Sequence, residues 1–286
     1  MTQKLPVTIY LDQKEVSNLA KGKEAPVAAA RFARLVQAGM LTPVFSFAHI
    51  IETARDANAA RRHLTCAYVD GLAHRLWLNQ PSALMQMELA RCFAEFLHDS
   101  PKPACPFRPH FFNAADPSLG PVDLTLEFTI AVAELLSNPG LEFEHIQRHV
   151  NGWPELRQLG RACSQGRPIP VSVDRHMLTK YVPRATRAGL TVDDHVRRDF
   201  MSGLDITRLP STQLFFEIDA KIQTDMDSTV DPGDALDHFH IRAIPYCDMT
   251  TLDARMHNIV SQTKAGKQYV GRIARNLPEA LQKLGL

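Results

Sequence analysis

VDPGDALDHFHIRAIPYCDMTTLDARMHNIV, residues Val230 to Val260, sets Asp234, Asp237, Asp248 and Asp253 into a stretch that otherwise reads as buried helix, strand and helix. Asp234 and Asp237 stand at i and i+3, on one face of a helix that starts after Asp-Pro-Gly. Asp248 and Asp253 bracket Met249-Thr250-Thr251-Leu252, a run that reads as a short strand entering a turn. Carboxylates brought to one rim repel one another. At about 4 Å and an effective dielectric near 20, each like-charge pair costs roughly 4 kcal/mol. A fold carries such a cluster when some acids hold protons or when a cation neutralises them. Hard oxygen ligands at a sheet rim suit Mg²⁺ or Mn²⁺, ions that keep several waters and accept substrate phosphates in the remaining positions.

The N-terminal stretch has the same texture. Val7 to Leu11 is short and rich in β-branched residues, so it reads as a buried strand that stops at Asp12. A helical pattern broken near Gly22 follows, then a second strand in TPVFSF and a helix from about Ser46. Strands alternating with helices predict an α/β domain around a parallel sheet. The segment from 64 to 209 is mostly helical in pattern and rich in proline, with LTLEFTIAVAELLSN giving an amphipathic helix. The organisation expected is therefore a discontinuous α/β domain, residues 1–63 and 210–286, with a helical insertion between them.

Two further acids stand out, and the first falls where an α/β sheet binds ligands, outside the carboxyl end of a strand. Asp12 follows the first strand directly; it serves either as a helix N-cap or as a functional acid. Glu52 lies in the helix after the second strand, with His49 at i−3 and Arg55 at i+3 on the same face. Its plain role is an ion pair with Arg55. Thr251 either orients Asp253 through its hydroxyl or faces solvent. His238 stands beside the acid cluster, as a neighbour of the ligands or as a packing residue, and His240 reads as packing.

Composition bounds the rest. The 286 residues, 45% hydrophobic and 22% charged with a formal net charge of +1, describe an ordinary globular chain rather than a strongly basic nucleic-acid binder. Any phosphate-binding surface must come from local charge, for which Lys14 and the basic stretch 175–198, including Arg184 and Arg187, are the candidates. The five cysteines are scattered and never form Cys-x-x-Cys, which suits reduced thiols. No signal-peptide core and no run near the roughly 20 apolar residues of a membrane span are present. The expectation is a cytoplasmic protein with no membrane partner.

TIYLDQ, SFAHIIE and GDALDHFHIRAIPYCDMTTLD, taken in order, resemble the successive acidic motifs of PIN-like nuclease domains. The ending Thr251-Leu252-Asp253 is similar to that family's last element. LPSTQLFFEI and IPYCD resemble a bacterial branch with helical insertions. The likeness covers about a third of the chain, at its two ends. It implies a three-layer α/β fold with a central parallel sheet. It also implies Mg²⁺- or Mn²⁺-dependent hydrolysis of phosphodiesters, most often in RNA and less often in DNA, in toxin, defence or RNA-processing roles. Asp12, Glu52, Asp237 and Asp253 form the implied metal-holding set. Asp234 stands as an equal alternative for the third acid, and Asp248 as a further metal candidate. An inhibitory partner protein and a homodimer belong to the same implication. Many relatives carry Asn two residues after the first Asp, where this chain has Lys14. That lysine also argues against a haloacid-dehalogenase-type phosphatase, which needs Asp there. The rival reading is a catalytically inactive PIN-like module that binds RNA or protein.

Overall fold

The computed structural model describes residues 6–100, 105–115, 126–138, 182–183, 191–225 and 232–286. The first strand, β1 (Val7–Tyr10), is followed by α1 (Gln13–Ala20) and α2 (Pro26–Gln37), then β2 (Leu41–Phe45), α3 (Phe47–Arg55) and α4 (Ala59–Asp70). Next come β3 (Leu76–Leu78), α5 (Pro81–Phe96), the two-residue β4 (Phe107–Arg108), α6 (Phe111–Ala115) and α7 (Glu127–Ser137). After residue 190 the chain forms α8 (Asp194–Ser202), α9 (Pro210–Asp225) and α10 (Pro232–Ile241). It closes with β5 (Met249–Thr251), α11 (Ala254–Gln262), α12 (Lys264–Lys267), β6 (Ile273–Ala274) and α13 (Leu277–Lys283).

The six strands make one sheet in the order β4-β3-β2-β1-β5-β6, parallel except for β4 at one edge. β1 is central: Tyr10 pairs with Val44 on one side and with Thr250 on the other. Side chains alternate across the sheet with the period of two that a strand imposes. Ile9, Phe45, Trp77 and Met249 face a core shared with α2, α3, α4, α7 and α13. Tyr10, Val44 and Leu78 face the opposite side, with Leu84, Ala243 and Cys247. A further core joins α5, α8, α9 and α11 through Leu89, Phe200, Phe215 and Val260. The central strands β1, β2 and β5 are covered on both faces, and their polar side chains are mainly threonines, in keeping with the buried strands of a parallel sheet.

The sheet runs beyond the expected domain boundary. β3 lies within the segment assigned to a helical insertion, yet Val44 pairs with Leu76 and Phe45 with Trp77 in parallel register. α7 also lies in that segment, and its Phe128 packs against Phe45 and Trp77. The α/β body therefore does not end at residue 63. Three residues, Leu76 to Leu78, are too few to show a strand period against the surrounding helices.

Helices α1, α3 and α11 start at the carboxyl ends of strands, each behind a capping residue. Asp12, Ser46 and Asp253 accept from backbone amides of the first turn of α1, α3 and α11. No helix among the described residues is long and apolar enough to cross a membrane.

Candidate active site

β1 connects towards β2 and β3 on one side, while β5 and β6 lie on the other. The gap between the carboxyl ends of β1 and β5 is thus the topological switch point, where open α/β sheets leave a crevice for ligands. A cavity of about 180 Å³ sits there, lined by Asp12, Glu52, Asp237, His240 and Asp253, with Lys14 at its wall. β1, α3, α10 and β5 each supply an acid, so residues more than 200 positions apart in sequence meet in one cleft.

Asp12 is buried, and its Oδ1 accepts the Glu15 amide at 2.9 Å. Its own backbone N–H donates to Thr251 Oγ1 at 2.8 Å, which ties the end of β1 to the end of β5. Burial pushes the Asp12 carboxyl above its ordinary range and Glu52 adds to that; the Glu15 amide, His240 and Lys14 oppose it. Asp253 is exposed and caps α11 through Oδ1, 2.6 Å from the Met256 amide. Among the described residues, neither Asp12 Oδ2 nor Asp253 Oδ2 has a hydrogen-bond partner.

Glu52 is held by a histidine. His240 Nε2 donates to Glu52 Oε2 at 2.8 Å, while Nδ1 lies 2.7 Å from the hydroxyl of Tyr10. That hydroxyl lies 2.6 Å from Ser46 Oγ, so a buried chain runs Ser46–Tyr10–His240–Glu52. Burial alone would lower His240, but the attraction and hydrogen bond of Glu52, with Asp237 and Asp12 beyond, hold it above its ordinary value. Burial likewise works against ionised Glu52, and His240 reverses this, with His49 and Arg55 contributing less; the carboxyl ends below its ordinary value.

His49 plays a different part from the one its spacing suggested. Its Nε2 donates to the Leu11 carbonyl at 2.7 Å, and its Nδ1 accepts the Ser46 amide at 3.0 Å. Those partners fix one neutral tautomer. Burial first, and His240 next, depress it to about 3. His49 thus pins the peptide just before Asp12 and closes the capping box of α3.

Three other expectations change. Asp248 precedes β5, so it lies at the far end of the sheet from the cleft, about 15 Å from Asp253 at strand spacing. There its Oδ2 accepts both the Thr8 amide and the Thr8 hydroxyl at 2.8 Å, a brace between strands and not a metal position. Thr251 is fully buried and braces Asp12 rather than Asp253. His238 is also fully buried, edge-on to Phe215 at 5.2 Å and outside the cavity lining, whereas His240 reaches Glu52. One helical step decides between the two histidines, because His240 shares the face of Asp237 at i+3. Asp234, Arg184 and Arg187 have side chains outside the described residues.

Sequence reasoning passed over Tyr10 and gave His240 no role. A tyrosine in an otherwise aliphatic strand was the available signal, since a buried hydroxyl demands a partner. The donor set suits a hard divalent ion in type: carboxylates facing a cavity of about 180 Å³, against the roughly 30 Å³ that one water occupies in the liquid. It is not a closed cage, for among the described residues no three His, Cys, Asp or Glu side chains are grouped to hold one metal ion. An ion in such a cleft would take one or two carboxylates directly and keep its other waters. Compared with protein-family models, curated proteins and solved structures, the chain gives no match.

Proposed function

We propose that this chain is a PIN-like, Mg²⁺- or Mn²⁺-dependent ribonuclease. The observation that carries the reading is the meeting of Asp12, Glu52, Asp237 and Asp253 around one cavity at the switch point of the sheet. Asp12, Asp237 and Asp253 are the acids of which one or two would hold the ion directly, with water in its other positions. When bound, it would lower the pKa of a coordinated water towards neutrality and offset charge on the phosphoryl oxygens. The protein's own part is positional. Thr251 and His49 fix the peptide that joins Leu11 to Asp12, and the Tyr10–His240 pair fixes Glu52. Lys14, exposed at the mouth of the cleft, is placed to meet a phosphate.

The second reading is an inactive PIN-like module. It is favoured by the capping bonds of Asp12 and Asp253 and by the hold of His240 on Glu52, which give these acids structural work without an ion. One assay separates the two: the purified full chain incubated with single-stranded RNA and DNA in Mn²⁺, Mg²⁺ or EDTA. The nuclease reading expects RNA cleavage that EDTA abolishes. Intact RNA in every metal, with the chain folded, supports the inactive module.

A further inference from the structure

The C-terminal segment carries a charge imbalance that the overall net charge of +1 conceals. From Ala254 to Leu286 it holds Arg255, Lys264, Lys267, Arg272, Arg275 and Lys283 against Glu279 as its one acid. The fold divides these bases. α11 leads away from the carboxyl rim, so Lys264, Lys267 and Arg272 follow its far end. Arg255 and Arg275 stay at the rim. Arg255 is exposed in the first turn of α11, two residues after Asp253. Arg275 is exposed directly after β6, and β6 lies beside β5 in parallel register, Thr251 against Ala274. The Leu252 amide donates to the Ala274 carbonyl at 2.9 Å, which carries this pairing past the last strand residue.

Neighbouring strands lie about 4.8 Å apart, so Asp12, Asp253 and Arg275 form a row roughly 10 Å long across the ends of β1, β5 and β6. Glu279, the one acid of this segment, is already engaged. Glu279 accepts the Arg275 backbone amide at 3.0 Å and pairs with Lys283 at 2.9 Å. The Arg275 guanidinium itself has no ion pair among the described residues. His257, on the same helix as Arg255, has a buried Nε2 with no hydrogen-bond partner among the described residues. Burial first, then Arg275, holds His257 below its ordinary value, and Lys283 adds to that against Glu279.

We propose that Arg255 and Arg275 form a phosphate-binding track that carries a single RNA strand past the acidic cleft, on the Asp253 side. The proposal rests on the nuclease reading of that cleft and adds the direction in which the strand leaves it. Guanidinium groups suit the task because their planar donors match phosphate oxygens in pairs.

The test is fluorescence anisotropy of a fluorescein-labelled single-stranded RNA against the full chain in EDTA, across a salt series. The parent is compared with the double variant Arg255→Ala/Arg275→Ala and with Arg31→Ala/Arg34→Ala on the outer face of α2. The track expects Kd to rise at least tenfold in the rim variant and to stay unchanged in the α2 variant. It also expects the slope of log K against log salt to fall by about 1.4, at roughly 0.7 for each phosphate of a single strand that the variant no longer neutralises. Equal binding and equal slope in the rim variant overturn it, as does equal weakening by the α2 variant. Mn²⁺-dependent cleavage of the same RNA by the parent is read in parallel. Cleavage with unaltered binding in the rim variant removes the track and leaves the nuclease standing. A parent that neither binds nor cleaves removes both.

Discussion

Glu88 and Asp12 are both buried carboxylates, 3% and 8% exposed, and they are bonded in contrasting ways. Glu88, on α5, accepts the Ser211 amide, the Thr212 amide and hydroxyl, and the Tyr246 hydroxyl. Both of its oxygens are occupied, and its task is to cap α9 from another element. Asp70 does the same for α7 through Phe128 and Thr129, and Glu15 does so for α13 through Leu277. Asp12 instead gives one oxygen to its own helix and turns the other towards a cavity that three further acids line. A carboxylate saturated by backbone amides is architecture. On the proposed reading, one left half-satisfied beside like charges is held in readiness for a cation.

That contrast predicts opposite outcomes for conservative changes in the two groups. The largest effect expected is on cleavage. Asp253→Asn should lower Mn²⁺-dependent RNA cleavage by about 1,000-fold, roughly 4 kcal/mol of barrier. Its fold should persist, because Asn caps a helix nearly as well as Asp. A thermal melt beside the cleavage assay checks both halves. Cleavage at the parental rate would move Asp253 into the architectural group.

Glu88→Ala should do the reverse. Stranding the α9 amides and the Thr212 and Tyr246 hydroxyls should cost about 3 kcal/mol of stability in urea denaturation, with cleavage per folded molecule preserved. Loss of activity without loss of stability would blur the division between the groups. Tyr10→Phe is a smaller probe. It removes the hydroxyl between Ser46 and His240, for about 1 kcal/mol of stability, and should lower cleavage by loosening Glu52.

The smallest effect is in pH dependence. His240 is raised in the folded chain above its ordinary 6.5, so its contribution is complete below that value and fades as pH climbs through the folded value. Glu52 is lowered from 4.5, so its contribution is present above that value and fades as pH falls. The stability difference between the parent and His240→Gln should therefore peak between these two ordinary values and shrink towards about pH 9. Denaturation curves across that range measure it; a difference that grows with pH would contradict the charged pair.

Much of this was legible in the sequence. β1, β2 and β5 could be read because short strand-like runs end at the capping residues Asp12, Ser46 and Asp253, two of which are acids of the cleft. Asp12 is a cap and a cleft residue at once, so the two readings of it did not compete. β3 was missed because three residues give no period, and pairing with β2 rather than local propensity makes that segment a strand. The sequence offered His238 a place beside the acids and read His240 as packing, whereas face and not proximity decides which of them reaches Glu52. Asp248 misled because a strand has two ends, and its parallel register with β1, unseen in a single sequence, sends Asp248 to Thr8.

The most direct test of the central claim is calorimetric titration of Mn²⁺ into the full chain and into Asp12→Asn. If the rim acids are held ready for a cation, the parent binds Mn²⁺ and the variant binds at least tenfold more weakly, while its melting temperature stays level or rises as repulsion is relieved. Equal binding by both proteins, or no binding by the parent, would contradict the account and place Asp12 with Glu88 among the acids that only build the fold.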